Sequence, residues 1–360
     1  MQSFFTTIGI GALLVVLIFC VLFLQARSEV PQPVDFLMSM KSALNSPTAL
    51  ADGLTDADGD LTADAPQDSG ELLDPDTLVF EVLGADLERE REHWSDFIAH
   101  LEKATGKKVE LAVRTPPQDA SPSNPTPPAL QQARDFRDGK LHLACVNTGA
   151  VSLAVNLGGA MPFCVMAAND GDYGYEMEII VPAKSAVKSP AQLKGARKVL
   201  FASAYSHSAF KAPLMTLWKE FNLQPERDFT PVFVAGQEAA IKEIGTGRGD
   251  AAPVASDLLQ RLLAQDVVKA DAIRSIYKSP AYPPACFAYA HQLQPELAAK
   301  VKAAFLDYDW KGTSLEKAYA AAHQSKFVAT TYKDAWASVR EVEAQAASLI
   351  PVAKPVAKAP

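Results

Sequence analysis

The chain has 360 residues, 34 Lys and Arg against 42 Asp and Glu, a formal net charge of −8 and 48% hydrophobic residues. That length accommodates two domains, or one two-lobed domain with a substantial core. The acidic balance and the lack of a basic stripe exclude a nucleic-acid partner, because neutralising phosphate backbones takes clustered Lys and Arg. The six histidines stand at no metal-ligand spacing with each other or with cysteine, so neither a metal nor a cofactor is read here.

In chain order, the first element is "FFTTIGIGALLVVLIFCVLFL", Phe4 to Leu24, which carries no charge. A helix of about 20 such residues crosses a hydrocarbon core. Met1-Gln2-Ser3 is not the basic start of a cleaved leader, and Phe23 spoils a small-x-small site ending at Ala26. Residues 1–27 are therefore read as a membrane anchor, with a cleaved signal as the alternative. From Ser28 to about Asp76, acidic residues such as Asp52, Asp56, Asp58, Asp60, Asp64 and Asp68 alternate with small ones. "DADGDLTADA" has the look of a calcium loop. With Gly59 at the sixth position, however, the first ligand would be Leu54, and no Glu closes the loop. Residues 28–76 are read as a solvated, disordered acidic linker.

Beyond it, "LVFEVLG" reads as a strand, and the pattern from about Leu87 to Thr105 as a helix stopped by Gly106. "KKVELAV" is a second strand, followed by the proline-rich "RTPPQDASPSNPTPP". The helical "ALQQARDFRDGK" leads to strand "LHLACV", then to strands "PFCVMA" and "YEMEIIVPA". Strand 198–202 precedes helix 209–221. Strands "TPVFVAG" and "DAAPVA" each lead into a helix, and strand "ACFAYA" precedes the final helices. The last residues, 346–360, read as a disordered tail. Alternating strands and helices predict an α/β protein on mostly parallel sheets. Cys145, Cys164 and Cys286 lie in apolar runs and read as buried free thiols, or as a Cys145–Cys164 bridge.

In such sheets ligands bind beyond the carboxyl ends of the strands. Three strand-to-helix turns carry polar residues there: Asn147-Thr148-Gly149, Ser206-His207-Ser208 and Gly236-Gln237-Glu238. Free N–H groups and the positive end of the helix dipole favour an anion at such places. Ser, Thr and Asn are also the preferred N-caps of any helix. Ser206 and Ser208 around His207 nevertheless offer more donors than one cap uses, and three such turns point to a shared site. Asp257 starts a helix just after strand 250–255, where it could cap that helix or face a ligand amine. Tyr173 and Tyr175 read as core or hinge residues. "GTGRGD" follows a helix and precedes a strand, the reverse of a phosphate loop.

From about Leu78 to Tyr319 the chain resembles the periplasmic phosphonate-binding proteins of ABC transporters, within the type II periplasmic-binding-protein superfamily. The resemblance is carried by "HWSDFIAHLEKATGKKVEL", "GKLHLACVNTGA", "DGDYGYEMEIIVPAKSAVKSPAQLKG", "SAYSHSAFKAP", "VAGQEAAIKEIGTGRGDAA" and "YKSPAYPPACFAYAHQLQPEL". It implies a two-lobed fold with lobe one at 77–172 plus 285–345 and lobe two at 173–284, hinged near Tyr175–Val181 and Cys286–Tyr289. It implies that Ser206 and Ser208 bind an oxyanion, with His207 where the family has Thr and Ala209 where it has Gly. Gln237 stands where the family uses His, and Asp257 where it has an acid that receives a ligand ammonium. Asn147, Thr148 and Tyr205 complete the implied ligand set. Two positions depart from the pattern: Val146 replaces an aromatic, and Ala285 or Cys286 a second acid. They leave phosphate, phosphite, another phosphonate or a sulfonate as the implied ligand. The resemblance further implies an extracytoplasmic, non-catalytic protein that works with an ABC permease; the anchor is read separately, from the uncharged residues 4–24. The alternatives are an anchored sensor that reports to a signalling partner, and a hydrolase using Ser206 or Ser208 with His207.

Overall fold

The computed structural model describes Met40, Leu44 and residues 47–84, 86–114 and 127–347. Segment 4–24, read above as an anchor, the proline-rich stretch 115–126 and residues 348–360 lie outside these. Among the described residues no helix is long and apolar enough to cross a membrane.

Two sheets organise the chain. The larger has six strands in the order β11-β4-β10-β3-β1-β2, from Thr77–Leu83 (β1), Lys108–Arg114 (β2), Leu143–Val146 (β3), Ala160–Ala167 (β4), Cys286–Ala290 (β10) and Lys326–Ala329 (β11). The second region holds Tyr175–Pro182 (β5), Val199–Phe201 (β6), Pro231–Phe233 (β7), Ala252–Ala255 (β8) and Ile273–Tyr282 (β9). Its strands form a β8-β5-β9 sheet and a parallel β6-β7 pair, which a Val199–Ala251 bridge joins. The parallel expectation holds for β1-β2, β1-β3 and β6-β7 only. The five other pairings, β3-β10, β10-β4, β4-β11, β5-β8 and β5-β9, are antiparallel. The physical reason is the chain path: β10 returns from the second sheet and enters the first against the direction of β3.

The helices that cover these sheets are Leu87–Thr105 (α1), Pro128–Arg137 (α2), Val151–Gly158 (α3), Ala212–Lys219 (α4), Gln237–Gly245 (α5), Ser256–Ala264 (α6), Pro295–Leu306 (α7), Ser314–Tyr319 (α8), Tyr332–Ala335 (α9) and Ala337–Ala347 (α10). Helix α1 shows why the local sequence suffices for some of them. Asp86 accepts the Arg89 N–H at its start, and Gly106 closes it at φ 72°, a left-handed conformation that favours glycine. Trp94, Phe97, Leu101 and Thr105 fall on one buried face. That face meets Phe80, Phe287, Phe305 and Phe327 in an aromatic core; Phe97 lies 4.5 Å from Phe305 between ring centroids. The second sheet has a smaller aliphatic core of Ile180, Leu200, Ile241, Ile244, Val254 and Leu262.

Segments 175–181 and 286–289 are strands, as their patterns predict, one in each sheet; the connections between the sheets, 168–174 and 283–285, adjoin them. One expectation is corrected here. The described part of the acidic linker, 47–76, is fastened to the fold rather than disordered, although most of its residues are exposed. Ala51 N–H donates to Asn156 O, Arg137 to Asp52 O and Lys333 to Gly59 O; Leu73 pairs with Gln292 and Gln294; and Ala63 is buried. Its aspartates serve the loop's own backbone, as where Asp56 accepts from Asp60 N–H and Leu61 N–H. Met40 and Leu44 are buried in the main core as well. The cysteines bear out the free-thiol reading over the Cys145–Cys164 bridge. Cys145 and Cys164 both stand opposite Phe287, from strands on either side of β10. Two strand spacings, about 9.6 Å, exceed disulfide reach. All three described cysteines are free. Burial pushes the Cys145 thiol up to about 12 and holds those of Cys164 and Cys286 well above their ordinary value, so these are unreactive packing groups.

Candidate functional site

Two turns, one from each sheet, define the candidate site. At the end of β3, Asn147 Oδ1 accepts the Gly149 N–H at 3.1 Å and folds Thr148–Ala150 into one tight turn that runs into α3. After β6, Ser206 Oγ accepts the Ala209 N–H at 3.1 Å and starts a wide turn, His207–Lys211, that continues as α4. Pro213 lies in the first turn of α4, where a missing N–H costs nothing. Both polar side chains thus act as caps, the simpler of the two sequence readings for Asn147 and Ser206.

The turns then meet face to face. A Cβ on Gly149 would collide with the Tyr205 carbonyl oxygen and stand 2.5 Å from the His207 amide nitrogen, so only glycine allows this approach. Lys211, 1% exposed, crosses the contact: its Nζ donates to Gly149 O at 2.7 Å and to Glu343 Oε1 of α10 at 2.5 Å. Thr148 Oγ1 donates to Pro283 O in the second connection at 3.0 Å. The Tyr175 hydroxyl lies with Ser208 and Thr148, and its burial raises its pKa.

His207 sits at the centre, 1% exposed, with its ring edge-on to Tyr282 at 4.2 Å. Neither ring nitrogen has a hydrogen-bond partner among the described residues. Burial, with the nearby charge of Lys211, lowers its pKa to about 3, so it is neutral at physiological pH. A ring that binds a proton this weakly and touches no hydroxyl is a poor general base. The arrangement therefore offers no activated serine, and the hydrolase alternative has no geometric support.

The structure brings Thr148, Tyr205, Ser206, His207, Ser208 and Ala209 together, all buried. Asn147 caps the adjoining turn. Gln237 is engaged otherwise: its Oε1 accepts the Ala255 N–H at 2.7 Å and pins the start of α5 to the end of β8. Asp257 caps within its own helix, Oδ1 accepting from Leu258 N–H, and lies within electrostatic reach of Tyr175. The residue is exposed, yet crowding of its carboxyl raises its pKa. Sequence reasoning named Gly149 only as part of its turn, did not single out Lys211, Tyr282 or Glu343 at this contact, and left Tyr175 as core or hinge. One signal was available: Lys211 is a lone charge in the otherwise apolar "AFKAPLM".

Residues 85–336 match the family model described as ABC transporter, phosphonate, periplasmic substrate-binding protein. Solved structures share the fold. The binding-protein component of an ABC phosphonate transporter from Pseudomonas aeruginosa is 19% identical, with 76% of this chain and 87% of that one aligned and a TM-score of 0.62. PhnD1 from Prochlorococcus marinus, in complex with methylphosphonate, is 14% identical over 76% of this chain and 98% of that one, with a TM-score of 0.61. A Xanthomonas citri protein bound to ATP is 14% identical over 77% and 100% of the two chains, with a TM-score of 0.59. With the family model matched over more than half its length, the chain belongs to the phosphonate-binding family of periplasmic substrate-binding proteins of ABC transporters. Members of this family bind solutes and do not transform them, and the family's compartment is extracytoplasmic.

Proposed function

We propose that this protein is the membrane-anchored solute-binding component of an ABC transporter, and that it encloses a phosphonate or a related oxyanion between its two lobes. Lobe one is 77–172 plus 285–345 and lobe two is 173–284; the anchor is the uncharged segment Phe4 to Leu24. The observation that carries the reading is the meeting of two helix-start turns, 147–150 and 205–209, one from each sheet. Such turns present N–H and O–H donors to an anion. Ser206 Oγ accepts the Ala209 N–H within its own turn, which leaves the hydroxyl hydrogen to donate to a solute oxygen. The neutral His207 and the hydroxyls of Thr148, Ser208 and Tyr175 supply further polar contacts without a fixed positive charge.

The test is thermal unfolding of the purified chain against methylphosphonate, other phosphonates, phosphite, phosphate, sulfate and sulfonates. A solute at 100 times its Kd adds about 2.7 kcal/mol to stability, and one phosphorus oxyanion is expected to do so. Ser206→Ala with Ser208→Ala is expected to weaken that binding by about 1.5–3 kcal/mol per lost charge-assisted hydrogen bond. If no member of the panel raises the transition, or if the double variant binds as tightly as the native chain, the site assignment fails.

A further inference from the structure

A buried ammonium is costly unless it is paired and hydrogen-bonded. Lys211 meets that requirement with two acceptors from different parts of the chain. Gly149 O belongs to the turn after β3 in the first sheet, and Glu343 Oε1 to α10, which packs against α4 and the 207–211 turn. Lys211 and Glu343 are 1% and 8% exposed. Between them the ion pair spans 132 residues of chain. No part of this arrangement uses solute atoms. Residue 343 falls in the sequence range of lobe one, but α10 packs against α4 and the 207–211 turn and so would move with Lys211. Separating the two turns would then strip the Gly149 carbonyl from the ammonium and leave the Glu343 bond in place, so this one hydrogen bond is made on closing and lost on opening.

We propose that Lys211, held in place by Glu343, is a positioning residue for lobe closure: a built-in latch that favours the closed form before any solute arrives. The C-terminal helix α10 is then a strap that aims the ammonium. The latch rests on the proposed two-lobe opening and closing but not on the identity of the solute. A latched resting state slows solute entry, because opening breaks a bond that closing then re-forms, while the bond itself cancels from the affinity.

The experiment measures the distance between spin labels on the full-length chain, carried by Glu92→Cys on α1 and Lys194→Cys before β6, both exposed positions. Without added solute the native background is expected to show one short, closed distance. Lys211→Met with Glu343→Gln removes both charges and is expected to lower the closed-to-open ratio about tenfold. Glu343→Asp, which keeps the charge but withdraws it by one methylene, is expected to fall between. A purely structural pair would lower the melting temperature without moving the distances. The latch is overturned if the native background is mostly open without solute, a reading that needs no variant to fold. It is also overturned if the folded double variant keeps the native distribution. A methylphosphonate arm separates the two proposals: no response to that solute would count against the functional reading and leave the solute-free distances to judge the latch.

Discussion

The aromatic core of the first sheet and the contact between the two turns are both buried, but they are built from opposite materials. The core is Phe80, Trp94, Phe97, Phe287, Phe305 and Phe327, edge to face, with little polar content. The contact is Gly149, Ser206, His207, Ser208 and Lys211, where small and polar groups meet with a single ring contact, His207 on Tyr282. Burial of apolar area drives the first, and it is not directional. The second depends on hydrogen bonds, a neutral imidazole and one ion pair, each sensitive to distance, and the imidazole also to proton concentration. A region of the first kind holds a lobe together; a region of the second kind can separate and re-form.

The largest break in this comparison is Phe97→Ala. Deleting this ring leaves a cavity among Trp94, Phe305 and Phe327 and is expected to cost about 3–5 kcal/mol in urea unfolding. A cost below about 1 kcal/mol would show that the core is not the rigid partner assumed here.

Gly149→Ala acts on the contact alone. Its φ lies outside the left-handed region, so alanine strains nothing but the facing backbone at Tyr205 and His207. Overpacking of this kind costs about 1–3 kcal/mol, and solution scattering should show a larger radius of gyration. Native stability together with an unchanged radius would mean that the turns are less tightly opposed than the geometry indicates.

The third effect is a pH dependence. His207 has a folded pKa of about 3 against an ordinary 6.5, so the unfolded chain takes up the proton first. The stability it contributes is complete above about pH 6.5 and is lost as pH falls towards 3. Between pH 7 and pH 5 the loss is roughly 2 kcal/mol. Burial lowers the pKa values of His142 and His291 too, so the native curve alone does not isolate the effect. His207→Phe should flatten the profile by that amount, and parallel curves for the two proteins would place the acid sensitivity elsewhere.

How much was legible follows from where each signal lives. Helix α1 was readable because its cap, its apolar stripe and its stop glycine are all local. Strand β9 was not read, because "IRSIYKSPAY" carries Arg274, Lys278 and Pro280 and looks like a loop; proline is tolerated there because β9 lies at a sheet edge. The acidic stretch misled because composition records charge and not long-range pairing. A few backbone bonds to α3 and β10's far end, with one buried alanine, fasten what solvation alone would leave free. At the site, the two turns were visible as polar residues between strand and helix, but the role of each side chain was not.

By itself the sequence determined the α/β pattern, the positions of the turns and, through family resemblance, the class of protein. These rest on periodicity, capping and composition, which act over a few residues at a time. The tertiary structure alone decided that β10 runs antiparallel between β3 and β4, that Cys145 and Cys164 cannot pair, and that Gly149 faces His207. It also decided that Lys211 finds Glu343. Each of these depends on which distant segments are brought within a few ångströms, and short-range patterning carries no record of that distance.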